Sequence, residues 1–249
     1  MTAQLLSTRP LPTRREEDFR YADLTALAGV WPVAVETIAV AAGESGALSV
    51  VNVGDTPVVR ELVITLAAGA KFALHVLNAG SAYGRIAVRA ELGEGAEFTL
   101  GAAQLGGGGQ VLELITNVSH AAPDAVSRQV VRSVVGGQAT ANYLGKVHVA
   151  PGANGTDGSQ SVRAMLLDRT ATANARPELE IHADDVKCAH GCAVGELDRN
   201  GLFYLQSRGL TPPEAKRLML QAFIAEAFTG AADEAALQDA ALKVLGDLL

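Results

Sequence analysis

Apolar residues in this chain recur two apart over short runs, glycines interrupt the runs, and the runs themselves repeat. Val40-Ala-Ala-Gly-Glu-Ser-Gly-Ala-Leu-Ser-Val50 aligns with Leu66-Ala-Ala-Gly-Ala-Lys-Phe-Ala-Leu-His-Val76 and again with Leu92-Gly-Glu-Gly-Ala-Glu-Phe-Thr-Leu-Gly-Ala102. Each copy is offset by 26 residues, so Gly43, Gly69 and Gly95 share one column and Leu48, Leu74 and Leu100 another. A period in the twenties is the signature of a solenoid with one coil per repeat. Glycine suits turns that need positive φ, and apolar residues two apart suit inward-facing strand positions. Further β-rich runs follow at Val58 to Leu66, Arg85 to Leu92, Val111 to Val118 and Gln129 to Val135. Gly106 to Gly109, Gly136-Gly137 and Pro151-Gly-Ala-Asn-Gly155 punctuate them.

The register predicts a right-handed parallel β-helix over residues 33–200, preceded by a short N-terminal arm (1–32) and followed by a helical region (201–249). Stacking neighbours would supply the core that one coil cannot bury alone. A β-sandwich is the alternative, since its strands and turns look similar, and the constant offset favours the solenoid. After Thr211 the period changes. Thr211-Pro-Pro-Glu214 combines an N-cap, proline in the first turn and a capping-box glutamate. Ala215, Leu218, Met219, Ala222 and Phe223 recur at helical spacing, and Gly230 ends that helix. A second helix starts near Asp233, with Leu237, Ala241, Val244, Leu245 and Leu248 on one stripe. These helices are expected to cap the open end of the solenoid or to meet a partner.

Composition narrows the function classes. Of 249 residues, 49% are hydrophobic and only 4% aromatic, so Ala, Val, Leu and Gly build the core. The formal net charge of −7 argues against nucleic acid as the main partner, which would call for a basic face. The segment Met1 to Arg15 carries no apolar signal region, and no run of eighteen apolar residues occurs. A cytoplasmic location is expected. The two cysteines, four positions apart, read as reduced thiols. The chain contains neither Gly-x-x-x-x-Gly-Lys-Ser/Thr nor Gly-x-Ser-x-Gly, so a P-loop ATPase and a serine-elbow hydrolase are both excluded. A non-catalytic role is expected.

The candidate chemistry is concentrated at residues 177–208. His182, Cys188, His190 and Cys192 fall within eleven positions. On a regular strand Cys188, His190 and Cys192 would share a face. Thiolate and imidazole suit iron, zinc or copper. The spacing is not that of a zinc finger, and three ligands leave a site that a second subunit would complete. Against this, free cysteine also behaves as a small buried hydrophobe. Asp184 and Asp185 offer oxygen ligands or simply a turn. His182 alternates with Glu180 and Asp184 on a solvent-facing side, and His75, His120 and His148 read as isolated, structural histidines.

The same segment resembles the SufD family of the SUF iron–sulfur cluster assembly system. The resemblance is carried by Pro177-Glu-Leu-Glu-Ile181, Ala183-Asp-Asp-Val-Lys-Cys188, His190-Gly191, Val194-Gly195, Phe203-Tyr-Leu205, Ser207-Arg-Gly-Leu210 and Glu214-Ala215. Gly145-Lys-Val-His-Val149, Gln160 and Leu166-Leu167 fit as well, as does Arg15-Glu-Glu-Asp-Phe-Arg-Tyr-Ala-Asp-Leu24, with Phe19 where Trp is usual. Cys192 stands where the family has a small non-thiol residue, and the stretch before the core is shorter than in typical members. The resemblance implies a subunit that pairs with a SufB-like scaffold and docks the SufC ATPase. His190, with Cys188, would lie beside a nascent iron–sulfur cluster at the SufB interface. No cluster would be held stably by this chain alone, and flavin would belong to the complex. Lys216, Arg217, Gln221 and Glu226 are the candidate SufC contacts. The rival readings are a SufB-like scaffold paralogue, a structural β-helix that forms a homodimer or larger homo-oligomer, and a β-helix polysaccharide enzyme.

Overall fold

A computed structural model describes residues 2–4 and 9–249; Met1 and residues 5–8 of the expected arm lie outside the described residues. Among the described residues the chain winds as a parallel solenoid of six coils, each giving one strand to each of two sheets. The seven-stranded sheet runs β1 (Thr2–Gln4), β2 (Val35–Val40), β4 (Val58–Leu66), β6 (Tyr83–Leu92), β8 (Val111–His120), β10 (Thr140–Val149) and β12 (Thr172–Ile181). The six-stranded sheet runs β3 (Ser45–Asn52), β5 (Lys71–Asn78), β7 (Glu97–Gly106), β9 (Val126–Val135), β11 (Asp157–Leu166) and β13 (Lys187–Gly195). All neighbours are parallel except β1, which pairs antiparallel with β2.

The expected register holds in the first coils. Leu48 sits beside Leu74 and Leu74 beside Leu100, each 26 positions on. Gly43, Gly69 and Gly95 have φ of 71°, 66° and 61°, so the repeated turns do require the left-handed region. Later coils lengthen: Val111 pairs with Thr140, 29 on, and Thr140 with Thr172, 32 on. The interior of the first coils is packed by Leu62, Ile64, Leu74, Val88, Leu100 and their neighbours. Beyond β8 it turns partly polar. Buried Tyr143 Oη receives a bond from Gln160 Nε2 at 3.0 Å and lies 3.2 Å from Thr116 Oγ1, which donates to Gln129 Oε1 at 2.8 Å. Gly145 makes room for that hydroxyl, because a Cβ there would overlap it.

The arm folds over the outside of the seven-stranded sheet. A 3₁₀ turn (Glu17–Phe19) and α1 (Leu24–Ala28) bury Phe19, Ala22 and Leu27 against Tyr83. Beneath them Arg85 and Glu113 form a fully buried ion pair at 3.0 Å, with the Arg85 guanidinium over the Phe19 ring.

The C-terminal region holds three helices, α2 (Arg199–Ser207), α3 (Pro212–Ala225) and α4 (Glu234–Leu248). Residues 211–249 show the two helices anticipated, and the Glu214 carboxylate accepts from the Thr211 N–H at 2.8 Å. The helix α2, capped by Asp198, is an addition. The expected capping of the open end is not what these helices do. Leu220, Ile224, Phe228, Leu237, Ala241 and Leu245 pack on Leu77, Ala103, Leu105 and Val134, along the flank of the six-stranded sheet. Leu77, Ala103, Leu105 and Val134 put apolar side chains on the outer face of this sheet, so that face also needs cover. Gly101 permits the close approach: a Cβ there would collide with the Ala227 carbonyl. No helix among the described residues is long and apolar enough to cross a membrane.

Candidate functional site

Because the helices lie along the flank, the last coil is bare. Among the described residues β13 has one neighbouring strand, β11, and β12 has one, β10. Strand β13 is regular, with Cys188, His190 and Cys192 beside Gly158, Gln160 and Val162. Gly158, Gln160 and Val162 are buried and face the interior. In-register parallel neighbours point the same way, so the two thiols and the imidazole occupy interior-facing positions of a coil that no further strand covers among the described residues. Cys188 is half-buried, whereas His190 and Cys192 are exposed.

The environments of the three differ. A Cβ built on Gly158 would meet both Cys188 Sγ and Ser127 Oγ, so the thiol stacks directly on the coil beneath. Burial pushes the Cys188 thiol up, partly offset by its bond with the Gly158 backbone. It is therefore held as the thiol, a weak ligand until something displaces its proton. His190 lies over Gln160, whose buried Oε1 has no hydrogen-bond partner among the described residues. Cys192 makes only a long contact, 4.0 Å, with the Ala175 carbonyl across the coil. Asp184 and Asp185 form the exposed turn between β12 and β13, with Asp185 at φ 52° and its carbonyl accepting from Gly155 N–H at 2.9 Å. The turn alternative accounts for them.

The structure separates the four candidate helix residues. Lys216, Arg217 and Gln221 project from α3 and are exposed. Glu226 instead bonds Arg132 at 2.7 Å, a guanidinium with no exposure, and so ties the helical region to β9. Phe203 and Tyr204 on α2 are 73% and 57% exposed, an aromatic pair that sequence reading placed in the motif without a role.

His148 is not isolated, contrary to expectation. Its ring centroid lies 5.5 Å from that of His182, and Glu180 sits beside both. The signal was hidden because β10 and β12 pair across a 32-residue step that the 26-residue period does not anticipate. His120 is interior and fully buried, bonded to Ser127 at 2.9 Å.

The profile of the SUF system FeS cluster assembly, SufBD core domain, matches residues 32–223. The iron–sulfur cluster assembly protein SufD of Escherichia coli is 34% identical over 135 residues, 54% of this chain and 32% of that protein. An iron–sulfur cluster assembly SufBD family protein of Synechocystis is 36% identical over 119 residues, 48% of this chain and 26% of that protein. The chloroplastic protein ABCI7 of Arabidopsis thaliana is 38% identical over 120 residues, 47% of this chain and 25% of that protein. The chain spans about a third or less of the length of these relatives.

Proposed function

The chain belongs to the SufBD core family of the SUF iron–sulfur cluster assembly system, and from that premise we propose that it is a SufD-like, non-catalytic subunit. One observation carries the proposal: the bare last coil presents Cys188, His190 and Cys192 on one face, with both strand edges free to pair. A SufB-like subunit pairs along β12 and β13 and completes the ligand set. The nascent cluster is cargo at that seam. His190 is its neutral imidazole ligand or stabilises arriving sulfur, and Cys188 gives up its proton when iron arrives. The likeness to Escherichia coli SufD and the run Asp184-Asp-Val-Lys-Cys-Ala-His-Gly191 support the D branch over the B branch.

The SufC-like ATPase docks on the exposed side of α2 and α3, through Lys216, Arg217 and Gln221 beside Phe203 and Tyr204. Glu226 serves the attachment of these helices through Arg132. ATP-driven pairing of two ATPase subunits then strains the seam and opens it to cargo. Any flavin belongs to the assembled complex.

Complementation of a strain lacking the D subunit, run beside pull-down of SufB and SufC, tests this. His190→Ala retains both partners and fails to complement. Full complementation by His190→Ala overturns the cluster-proximal role. Loss of both activity and complex leaves His190 as an interface residue only. Purification of the chain alone, followed by mass measurement, checks whether the same edges make a homodimer when no partner is present.

A further inference from the structure

A second group of ligating side chains lies outside the proposed seam. On the outer face of the seven-stranded sheet the register seats His148 of β10 beside Glu180 of β12. The ladder continues past the end of β12, where the His182 N–H donates to the Val149 carbonyl at 2.9 Å. His182 therefore falls two positions beyond Glu180 on the same side. One donor atom from each of His148, Glu180 and His182 comes within 4.8 Å of the other two.

We propose that His148, Glu180 and His182 bind an exchangeable divalent first-row metal ion. Two imidazoles and one carboxylate suit zinc(II), cobalt(II) or iron(II) and are poor ligands for calcium or magnesium. Metal–ligand bonds of about 2.0–2.2 Å place adjacent donors roughly 3 Å apart. His182 Nε2 and Glu180 Oε1 already stand at 3.1 Å. Both side chains are exposed, so the remaining adjustment toward His148 is rotation of free side chains. Ser119 Oγ shares a 3.3 Å hydrogen bond with His148 Nδ1, which leaves Nε2 as the donor facing outward. This is the outer-shell support that fixes tautomer and ring orientation in metal sites. Ser119, Lys146 and His148 also line a groove of about 290 Å³, so the ion keeps an open side for water or an incoming ligand. Three protein ligands and an open position mark an exchanging site, in contrast to a closed four-ligand structural one.

Lys146 opposes the metal. Its ammonium lies 3.6 Å from Glu180 Oε2 and occupies the carboxylate when no cation is bound. An entering ion displaces it. Lys146 thus sets the affinity without ligating, and its removal strengthens binding.

The test uses the full chain carrying Cys188→Ser and Cys192→Ser, so that thiols contribute nothing. Zn²⁺ is titrated by calorimetry and Co²⁺ by visible absorption, with circular dichroism checking the fold of every variant. One equivalent of each ion is expected, and the cobalt spectrum lacks sulfur charge-transfer bands. His182→Ala and His148→Gln abolish saturation. Ser119→Ala weakens it about tenfold, and Lys146→Ala tightens it. Failure of the parent protein to saturate, or saturation unchanged in both histidine variants, overturns the site. No partner subunit is needed, so this outcome is independent of the assembly role.

Discussion

Leu100 on β7 and His190 on β13 occupy one column of the six-stranded sheet, with Gln129 and Gln160 between them. Read from the start, the column is Leu48, Leu74, Leu100, Gln129, Gln160, His190. The backbone pairing is the same at every step. Leu100 is fully buried, and His190 is exposed. A parallel column runs Val50, Val76, Ala102, Val131, Val162, Cys192 and ends in the same way. The strand ladder alone therefore does not make an interior; a following coil does. In the second column the change from apolar side chain to ligating one falls at the last coil, whereas the first column has already turned polar at the buried Gln129.

Three measurements press on this comparison. The largest effect is expected in the covered middle: Leu100→Ala should cost about 2–5 kcal/mol in urea denaturation, because the packed coils on either side cannot collapse into the void. A loss under about 1 kcal/mol would show the middle coils to be as loose as the last. The second measurement contrasts a buried imidazole with the exposed one. Burial pushes His120 down to about 4, while the unfolded chain takes up a proton near pH 6.5. Between those values the unfolded state binds more protons. Stability is complete above about pH 6.5 and falls as pH drops toward 4, by on the order of 3 kcal/mol from this one group. The urea midpoint measured across that window should flatten in His120→Gln. An equal slope in both proteins would assign the acid lability elsewhere. The smallest effect is expected at the open end. His190→Ala should change the stability of the isolated chain by no more than about 0.5 kcal/mol. A larger loss would mean that the last coil is packed as tightly as the others.

Legibility in the sequence followed loop length. The first coils close through turns of one length, so their columns align at a constant 26 and the glycines and leucines announce them. From β6 onward the turns differ, and steps of 28, 29 and 32 break the frame. That drift hid the pairing of His148 with Glu180, and it hid the column that joins Leu100 to His190. Cys188, His190 and Cys192 were readable as a group because strand alternation needs only local spacing. Their exposure was not, since it depends on where the helices rest. The apolar stripe expected on α3 (Ala215, Leu218, Met219, Ala222, Phe223) was set off by part of a turn, since Leu220 and Ile224 are buried while Leu218 and Ala222 are exposed, and it did not name its partner. That partner is the outer face of β5, β7 and β9, which reads like any buried strand. The helix α2 escaped notice because it is short, nine residues, and buries no side chain.

The antiparallel strand β1 has a bearing on how copies can add to one another. A solenoid whose strands all run one way has a head and a tail, and stacking tail on head repeats without limit, as in a fibre. Here β1 lies across the leading edge of β2 in the opposite sense. An incoming β12 can no longer extend that sheet as another parallel coil. The trailing edges remain free, and two of them brought together by a two-fold axis must pair antiparallel. Such a union has no further edge to offer on that side. The six-stranded sheet keeps its leading edge at β3 uncovered, so the polarity of the winding hinders head-to-tail growth on one of the two sheets.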